Sequence, residues 1–130
     1  QEEAVIVFPE GVRGTGKGFV KRYQLQRFGN GFMDIAIETN TPIIPVGIVG
    51  CEEALPMFGN AEGLAQKFGL PYFPITVPFP IPTRITLNFG EPLYFSGPIH
   101  SEDDLEAKVN VVKAKIRQLI AEAQHKHGVK

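Results

Sequence analysis

The chain has 130 residues, the size of one ordinary domain. Hydrophobic residues make up 43% and charged residues 21%, so the composition is globular, and a formal net charge of −1 excludes a nucleic-acid partner recognised by charge alone. A single cysteine, Cys51, excludes an internal disulfide, and no apolar run reaches the roughly 20 residues that cross a bilayer. We expect Cys51 to be a small buried hydrophobic residue.

An apolar run rich in β-branched residues opens the chain at residues 4–8 and ends at Pro9. This pattern predicts a strand buried on both faces, as in an α/β sheet. Because the run starts almost at once and the first residue is Gln, we expect the chain to begin inside a domain whose upstream elements are absent.

The next two elements are a predicted helix over residues 23–40 and a second predicted buried strand over residues 43–50. Pro45 has no amide hydrogen to donate, so it should stand at a strand end or a bulge. Two buried strands joined through a helix predict a right-handed βαβ unit.

The middle of the chain has weaker patterns. Residues 60–68 predict a short helix, and residues 70–83 carry five prolines, too many for a regular interior element. Residues 84–89 alternate like a strand, with Ile85, Leu87 and Phe89 on one face.

A long amphipathic helix is predicted near the end of the chain. Ser101 and the three acids after it are typical of a helix start. Apolar residues then recur at spacings of three and four, which predicts one face packed on a sheet. They are Leu105, Val109, Val112, Ile116, Leu119 and Ala123. The predicted class is therefore α/β, a partial mixed and mostly buried sheet flanked by helices, with a C-terminal amphipathic helix.

The candidate binding residues Glu10, Gly11 and Arg13 lie directly after the first predicted strand. Side chains at a strand's carboxyl end in an open α/β sheet face the ligand crevice, and arginine offers a planar fork that suits phosphate or carboxylate. Glycine lets backbone amides approach an anion closely. No acid occurs between Glu10 and Asp34, where five bases stand. They are Arg13, Lys17, Lys21, Arg22 and Arg27. This run is either an anion-binding surface or only a solvated basic face.

A second motif overlaps the first, because residues 11–17 fit G-x-x-x-x-G-K after a predicted strand. The next position, which should be Ser or Thr to hold magnesium, is Gly18. The strand predicted at 43–50 also does not end in the Asp that would be the second magnesium ligand. A degenerate P-loop nucleotide-binding module remains an alternative.

Residues 8–13 (Phe-Pro-Glu-Gly-Val-Arg) resemble the phosphate-binding signature of lysophosphatidic acid and related glycerolipid acyltransferases, and residues 43–46 resemble that family's following block. Residues 69–76 and 88–93 also look familial, so the resemblance runs in order across nearly the whole chain. It implies that residues 1–130 are the C-terminal part of a single acyltransferase domain. The chain departs from the family pattern at two positions, with Val12 in place of Ser or Thr and Gly14 in place of the frequent Ser.

The largest departure concerns catalysis. The family's catalytic pair is His-x-x-x-x-Asp, in which the histidine is the general base on the acceptor hydroxyl. None of the three histidines here, His100, His125 and His127, has an Asp five positions later. We therefore assign no catalytic residue and expect the chain alone to be inactive.

The resemblance implies a parent protein that transfers an acyl group from acyl-CoA or acyl carrier protein to a glycerolipid hydroxyl, such as that of lysophosphatidate. Arg13 would hold the acceptor phosphate, with Gly11 and Lys17 beside it. Glu10 would bind the glycerol hydroxyls or orient Arg13 through a salt bridge. Pro45 would shape the pocket floor or be only a strand-end proline. We expect no metal and no cofactor beyond the acyl donor as co-substrate.

A lipid substrate also implies a place on the cytoplasmic side of a membrane, peripheral or anchored through segments outside this chain. Three aromatic residues of the proline-rich stretch would lie against the bilayer or line an acyl groove, or would only wrap a domain edge. They are Tyr72, Phe73 and Phe79. We expect Val5, Ile6, Ile44 and Ile48 to be partly bare, so that the chain self-associates or adsorbs to lipid. A non-catalytic lipid-binding or partner-binding domain is a further alternative.

Overall fold

The computed structural model describes residues 3–11, 22–54, 57–60, 66–69, 74–76 and 79–128. These ranges hold three helices and four strands, which form two antiparallel pairs, β1 with β4 and β2 with β3. In chain order the elements are α1 (Gly31–Glu38), β1 (Val46–Val49), α2 (Cys51–Ala54), β2 (Met57–Asn60), β3 (Pro74–Thr76), β4 (Thr86–Phe89) and α3 (Glu102–His127). The fold is mixed α/β with a long C-terminal helix, which confirms the predicted class.

The β1–β4 pair joins two segments that are far apart in sequence. Val46 lies opposite Phe89 and Ile48 opposite Leu87. Beyond the strand ends, the amide of Gly90 donates to the carbonyl of Pro45 at 2.9 Å. The strand predicted over residues 84–89 is confirmed, and so is the position of Pro45 at a strand end.

Helix α3 has a defined beginning and end. The Ser101 hydroxyl accepts a hydrogen bond from the amide of Asp104 at 3.2 Å, and the first turn carries three acids, which oppose the positive end of the helix dipole. Gly128 ends the helix in a left-handed conformation, with φ of 74°. The predicted amphipathic helix is confirmed.

One face of the β1–β4 pair packs on α3. Gly47 and Val49 are buried there, and the side-chain amide of Asn88 donates to the carbonyl of Leu119 at 3.0 Å. Two groups of buried residues make up the core. The first is Phe28, Met33, Leu105, Val109 and Val112, and the second is Val49, Ile120 and Ala123. Partly buried Leu25 and Ile116 pack against both groups, so the core is continuous along α3.

The opposite face of this pair is bare. Ile48 and Leu87 share it, and Leu87 is 54% exposed. Ile44, Ile85 and Phe89 are exposed as well. The expectation that Ile44 and Ile48 would be partly bare is confirmed. Ile85, Leu87 and Phe89 share one face as predicted, but that face is exposed rather than buried, because α3 packs on the other face.

Two predicted elements are wrong in the described ranges. Residues 3–8 form no strand, and Val5 and Ile6 are 83% and 82% exposed, because no neighbouring strand pairs with them. The helix predicted over residues 23–40 is restricted to α1, since Tyr23 has a positive φ of 63° that an α-helix does not allow. The helix ends at Glu38, two residues before the predicted end at Asn40, and Asn40 itself has a left-handed φ of 51°. With both strand pairs antiparallel, the described residues contain no parallel βαβ unit.

The middle of the chain also differs from expectation. Asn60 ends strand β2 rather than beginning a helix, and residues 61–65 lie outside the described ranges, whereas residues 66 and 67 are helical as predicted. Within the proline-rich stretch, β3 begins at Pro74, a strand position that needs no donated hydrogen bond. Tyr72 and Phe73 lie outside the described ranges, and Phe79 is exposed.

Candidate anion-binding site

The predicted site begins in a tight turn at residues 8–11. The amide of Gly11 donates to the carbonyl of Phe8 at 3.0 Å, and the amide of Gly29 donates to the carbonyl of Pro9 at 2.9 Å. Gly11 has a φ of 55°, which explains why glycine is favoured there. Its amide is used within the turn, so the geometry of the chain already accounts for this glycine. Glu10 is half-buried in the same turn.

The structure places only some of the predicted site residues. Glu10 and Gly11 share the turn, whereas Arg13 and Lys17 lie outside the described ranges, so their roles stay predictions. Pro45 is fully buried at the start of β1 and accepts a hydrogen bond from Gly90. These contacts give Pro45 the strand-end role that the sequence left open, and its role in ligand binding stays a prediction.

The basic segment, residues 12–22, re-enters the described fold at Arg22 and Tyr23, where two glutamates of α2 hold it. The amide of Tyr23 donates to Oε2 of Glu52 at 2.7 Å, and its hydroxyl donates to the carboxylate of Glu53. The same hydroxyl accepts a hydrogen bond from the amide of Gly50 at 3.1 Å. Nε of Arg22 lies 3.6 Å from Oε1 of Glu53. We call these contacts the Tyr23 anchor.

The electrostatics of the anchor keep the tyrosine neutral. Burial and the hydrogen bond to Glu53 raise the pKa of the Tyr23 hydroxyl well above its ordinary value. The hydroxyl therefore remains a donor to Glu53 at any physiological pH.

Cys51 lies beside the anchor at the start of α2. It is a free, exposed cysteine, so the prediction of a buried residue is wrong. The reason is that α2 begins directly after β1 and places this side chain outward. Partial desolvation and the charges of Glu52 and Glu53 raise the pKa of its thiol. A raised pKa disfavours the thiolate, which is the nucleophilic form.

Close packing surrounds the anchor. The Tyr23 ring packs on the core group formed by Val49, Ile120 and Ala123. Gly50 has a φ of 103°, and a Cβ atom there would lie 2.0 Å from the carbonyl oxygen of Arg84. Sequence reasoning missed this arrangement. The sequence feature that could have indicated it is the pair of acids, Glu52 and Glu53, shortly after the strand that ends at Val49.

Other kinds of site find no support in the described residues. Within those ranges no group of three or more His, Cys, Asp or Glu side chains could hold a metal ion. For the P-loop alternative, residues 3–8 are not a strand and residues 22–30 are not helical, so the described flanks of the glycine segment lack the strand and helix of that motif. Among the described helices, none has the length and apolarity needed to cross a membrane.

Comparison with known proteins gives one family match. Residues 1–49, which include the turn and the basic segment, match the family model described as Acyltransferase. No solved structure matches it significantly.

Several curated proteins are similar to the chain. An uncharacterized protein of Mycobacterium tuberculosis (strain H37Rv) is 48% identical over 101 residues, which cover 70% of this chain and 28% of that protein. An uncharacterized protein of Mycobacterium leprae is 46% identical over 102 residues, covering 71% and 28%. A human protein named DGAT1/2-independent enzyme synthesizing storage lipids is 32% identical over 89 residues, covering 66% and 27%. The chain thus spans little more than a quarter of the length of these relatives.

Proposed function

We propose that this chain is the acceptor-binding part of an O-acyltransferase of the 1-acylglycerol-3-phosphate type. The complete gene product transfers an acyl group from acyl-CoA or acyl carrier protein to a glycerolipid hydroxyl, such as that of lysophosphatidate. The observation that carries this proposal is the family match over residues 1–49, which contains the Glu10–Arg13 motif and the basic segment after it. The human relative supports a lipid product, since its name describes the synthesis of storage lipids.

In this proposal Arg13 binds the acceptor phosphate through its planar guanidinium, and Lys17 adds a second positive charge. The turn at residues 8–11 fixes where the motif begins, because two backbone hydrogen bonds define it. Glu10, half-buried in that turn, orients Arg13 or binds the glycerol hydroxyls. Pro45 supports the floor of the site from the start of β1. The general base belongs to a His-x-x-x-x-Asp pair outside this chain.

The acceptor lipid reaches the site from a membrane surface in this account, on the cytoplasmic side. The bare face of the β1–β4 pair supplies apolar contact, and the basic segment supplies attraction to anionic headgroups. In this proposal the bare face is covered by lipid, or by a second copy of the chain when lipid is absent.

An acyl-transfer assay on the complete gene product tests the proposal. We expect labelled acyl groups to pass from acyl-CoA or acyl carrier protein to lysophosphatidate faster than to another lysolipid or to diacylglycerol. The 130-residue chain assayed alongside should give no product above a blank without protein. Transfer only to an acceptor without phosphate would overturn the role of Arg13. Activity of the 130-residue chain alone would overturn the assignment of the general base to a segment outside this chain.

The same assay distinguishes an acyltransferase from the non-catalytic lipid-binding alternative. A complete gene product that binds lysophosphatidate vesicles but transfers no acyl group to any acceptor is a lipid-binding protein. Binding of ATP with magnesium, measured by calorimetry, would instead favour the nucleotide-binding module.

A further inference from the structure

Strand β4 pairs with β1 alone among the described residues, so its other edge is open. The amide of Gly90 donates to the carbonyl of Pro45, which makes these two a hydrogen-bonded pair. Directly opposite residues of an antiparallel ladder alternate between bonded and non-bonded pairs, and the next pair is Val46 with Phe89. The backbone amides and carbonyls of Phe89 and, two residues earlier, Leu87 therefore point away from β1. No described backbone group bonds to them there.

This open edge is regular over residues 85–89. Arg84, an exposed charge, stands at its start. At its end, Ile43 and Leu93 exchange two backbone hydrogen bonds, so two residues after Gly90 lie opposite a single residue of the other chain segment and form a β-bulge. Between these limits there is no charge and no proline, the features that usually protect an edge strand from pairing.

The two ends of the edge carry opposite charges. Arg84 precedes it and Glu91 follows it, and both side chains are exposed. When two identical strands pair antiparallel, the start of each lies beside the end of the other, so Arg84 of one copy comes close to Glu91 of the second. Parallel pairing would instead place like charges together, which is unfavourable. The edge is therefore complementary to itself in the antiparallel arrangement.

We propose that the chain forms a two-fold symmetric dimer in which β4 pairs antiparallel with β4 of a second copy. Leu87, the middle of the regular edge, lies on the two-fold axis, where its outward amide and carbonyl bond to the same groups of the second copy. Ile85 then lies opposite Phe89, an apolar cross-strand pair that occurs twice. The product is a four-stranded sheet in the order β1–β4–β4–β1.

The rest of the fold accommodates this sheet. Helix α3 packs its backbone on β1 at Gly47, and β1 is the outer strand in each copy, farther from the axis. A two-fold axis perpendicular to the sheet places the bare faces of both copies on the same side. They join into one wider apolar surface that stays open to lipid. The pairing does not depend on the proposed acyl-transfer activity, because it uses only the edge of β4.

A disulfide at the axis tests the pairing, in neutral detergent micelles that occupy the bare face. Leu87→Cys and Ile48→Cys are compared in a Cys51→Ser background, which removes the free thiol of the chain. Hydrogen-bonded opposite residues have Cα atoms about 5.5 Å apart, within disulfide range, so Leu87→Cys should run mostly as a covalent dimer on a non-reducing gel. Ile48→Cys shares the face but lies three strand spacings, about 14 Å, from its copy and should stay monomeric.

Charge reversal tests the same pairing without altering the apolar face. Arg84→Glu brings two acids together at each end of the paired strands. We expect it to raise the dimer dissociation constant about tenfold, measured by sedimentation in the same detergent. The double variant Arg84→Glu/Glu91→Arg restores opposite charges and should return the constant to that of the original chain. Arg117→Glu, at an exposed position on α3, is the matched control and should leave the constant unchanged.

Each outcome decides the proposal. A monomeric original chain, or a Leu87→Cys variant that forms no covalent dimer, would overturn it. A covalent dimer of Ile48→Cys would show that the bare faces stack on each other, which contradicts pairing at the edge. If the double variant stays as weak as Arg84→Glu, the antiparallel arrangement is wrong.

Discussion

Gly47 lies against the backbone of Ile120 so closely that a Cβ atom on Gly47 would stand 2.7 Å from the Ile120 amide nitrogen. This contact sets the distance between β1 and α3, since the neighbouring main chain of Leu119 is equally near. We expect Gly47→Ala to force the helix away from the sheet and to lower the free energy of unfolding by about 1 to 3 kcal/mol.

Urea unfolding of Gly47→Ala and Gly31→Ala measures this effect. A Cβ on Gly31 would meet nothing within 4 Å, so the control should stay within about 0.5 kcal/mol of the original chain. Equal stability of the two variants would mean that α3 does not pack at this distance.

The Tyr23 anchor predicts a stability change at alkaline pH. The folded-state pKa of Tyr23 is raised above its unfolded value of about 10, so its contribution is fully present below pH 10 and is lost as pH rises beyond it. The stability difference between the original chain and Tyr23→Phe should therefore shrink as pH rises through and above about 10. A difference that stays constant across that range would contradict the anchor.

The pKa of the Cys51 thiol depends on the charges of Glu52 and Glu53. Because Glu53 helps to raise the pKa of the Cys51 thiol, Glu53→Gln should move the pH midpoint of iodoacetamide alkylation downward. The maximum rate at high pH should not change, which separates a charge effect from unfolding. Glu106→Gln, an exposed site on α3, should leave the midpoint in place. A midpoint that both variants shift equally would exclude a local effect of Glu53.

The bare sheet face predicts adsorption or self-association. We expect the chain to float with vesicles, more with anionic than neutral ones, because each base near an anionic surface contributes about 1 kcal/mol. Without lipid it should sediment as an oligomer. Leu87→Gln should weaken both behaviours, whereas Val111→Gln, at a helix site of matched exposure, should weaken neither. If the chain sediments as a monomer and binds neither vesicle type, the exposed apolar face does not drive association or adsorption.

Local patterns predicted some elements well because their causes are local. The cap at Ser101 and the spacing from Leu105 to Ala123 fix α3, and the alternation of residues 84–89 fixes β4. Pro45 was placed correctly because a missing amide hydrogen is a property of one residue.

The remaining elements depend on partners that a local pattern does not reveal. An apolar run such as residues 4–8 becomes a strand only beside another strand. Among the described residues, no strand pairs with this run. The β1–β4 pairing joins positions about forty residues apart, and the Tyr23 anchor needs the same long-range closure. The turn that holds Glu10 and Gly11 has a local cause, because Pro and Gly favour turns through their own backbone preferences.

The central claim is that Arg13 binds the acceptor's phosphate, and steady-state kinetics of the complete gene product test it most directly. Loss of a charge-assisted two-point contact of about 1.5 to 3 kcal/mol should lower kcat/KM for lysophosphatidate about tenfold to a hundredfold in Arg13→Ala. The acceptor's KM should rise while the KM for the acyl donor holds. Lys126→Ala, at an exposed position on α3, should match the original enzyme. Equal values of kcat/KM for the two variants would show that Arg13 is surface charge and would contradict the account.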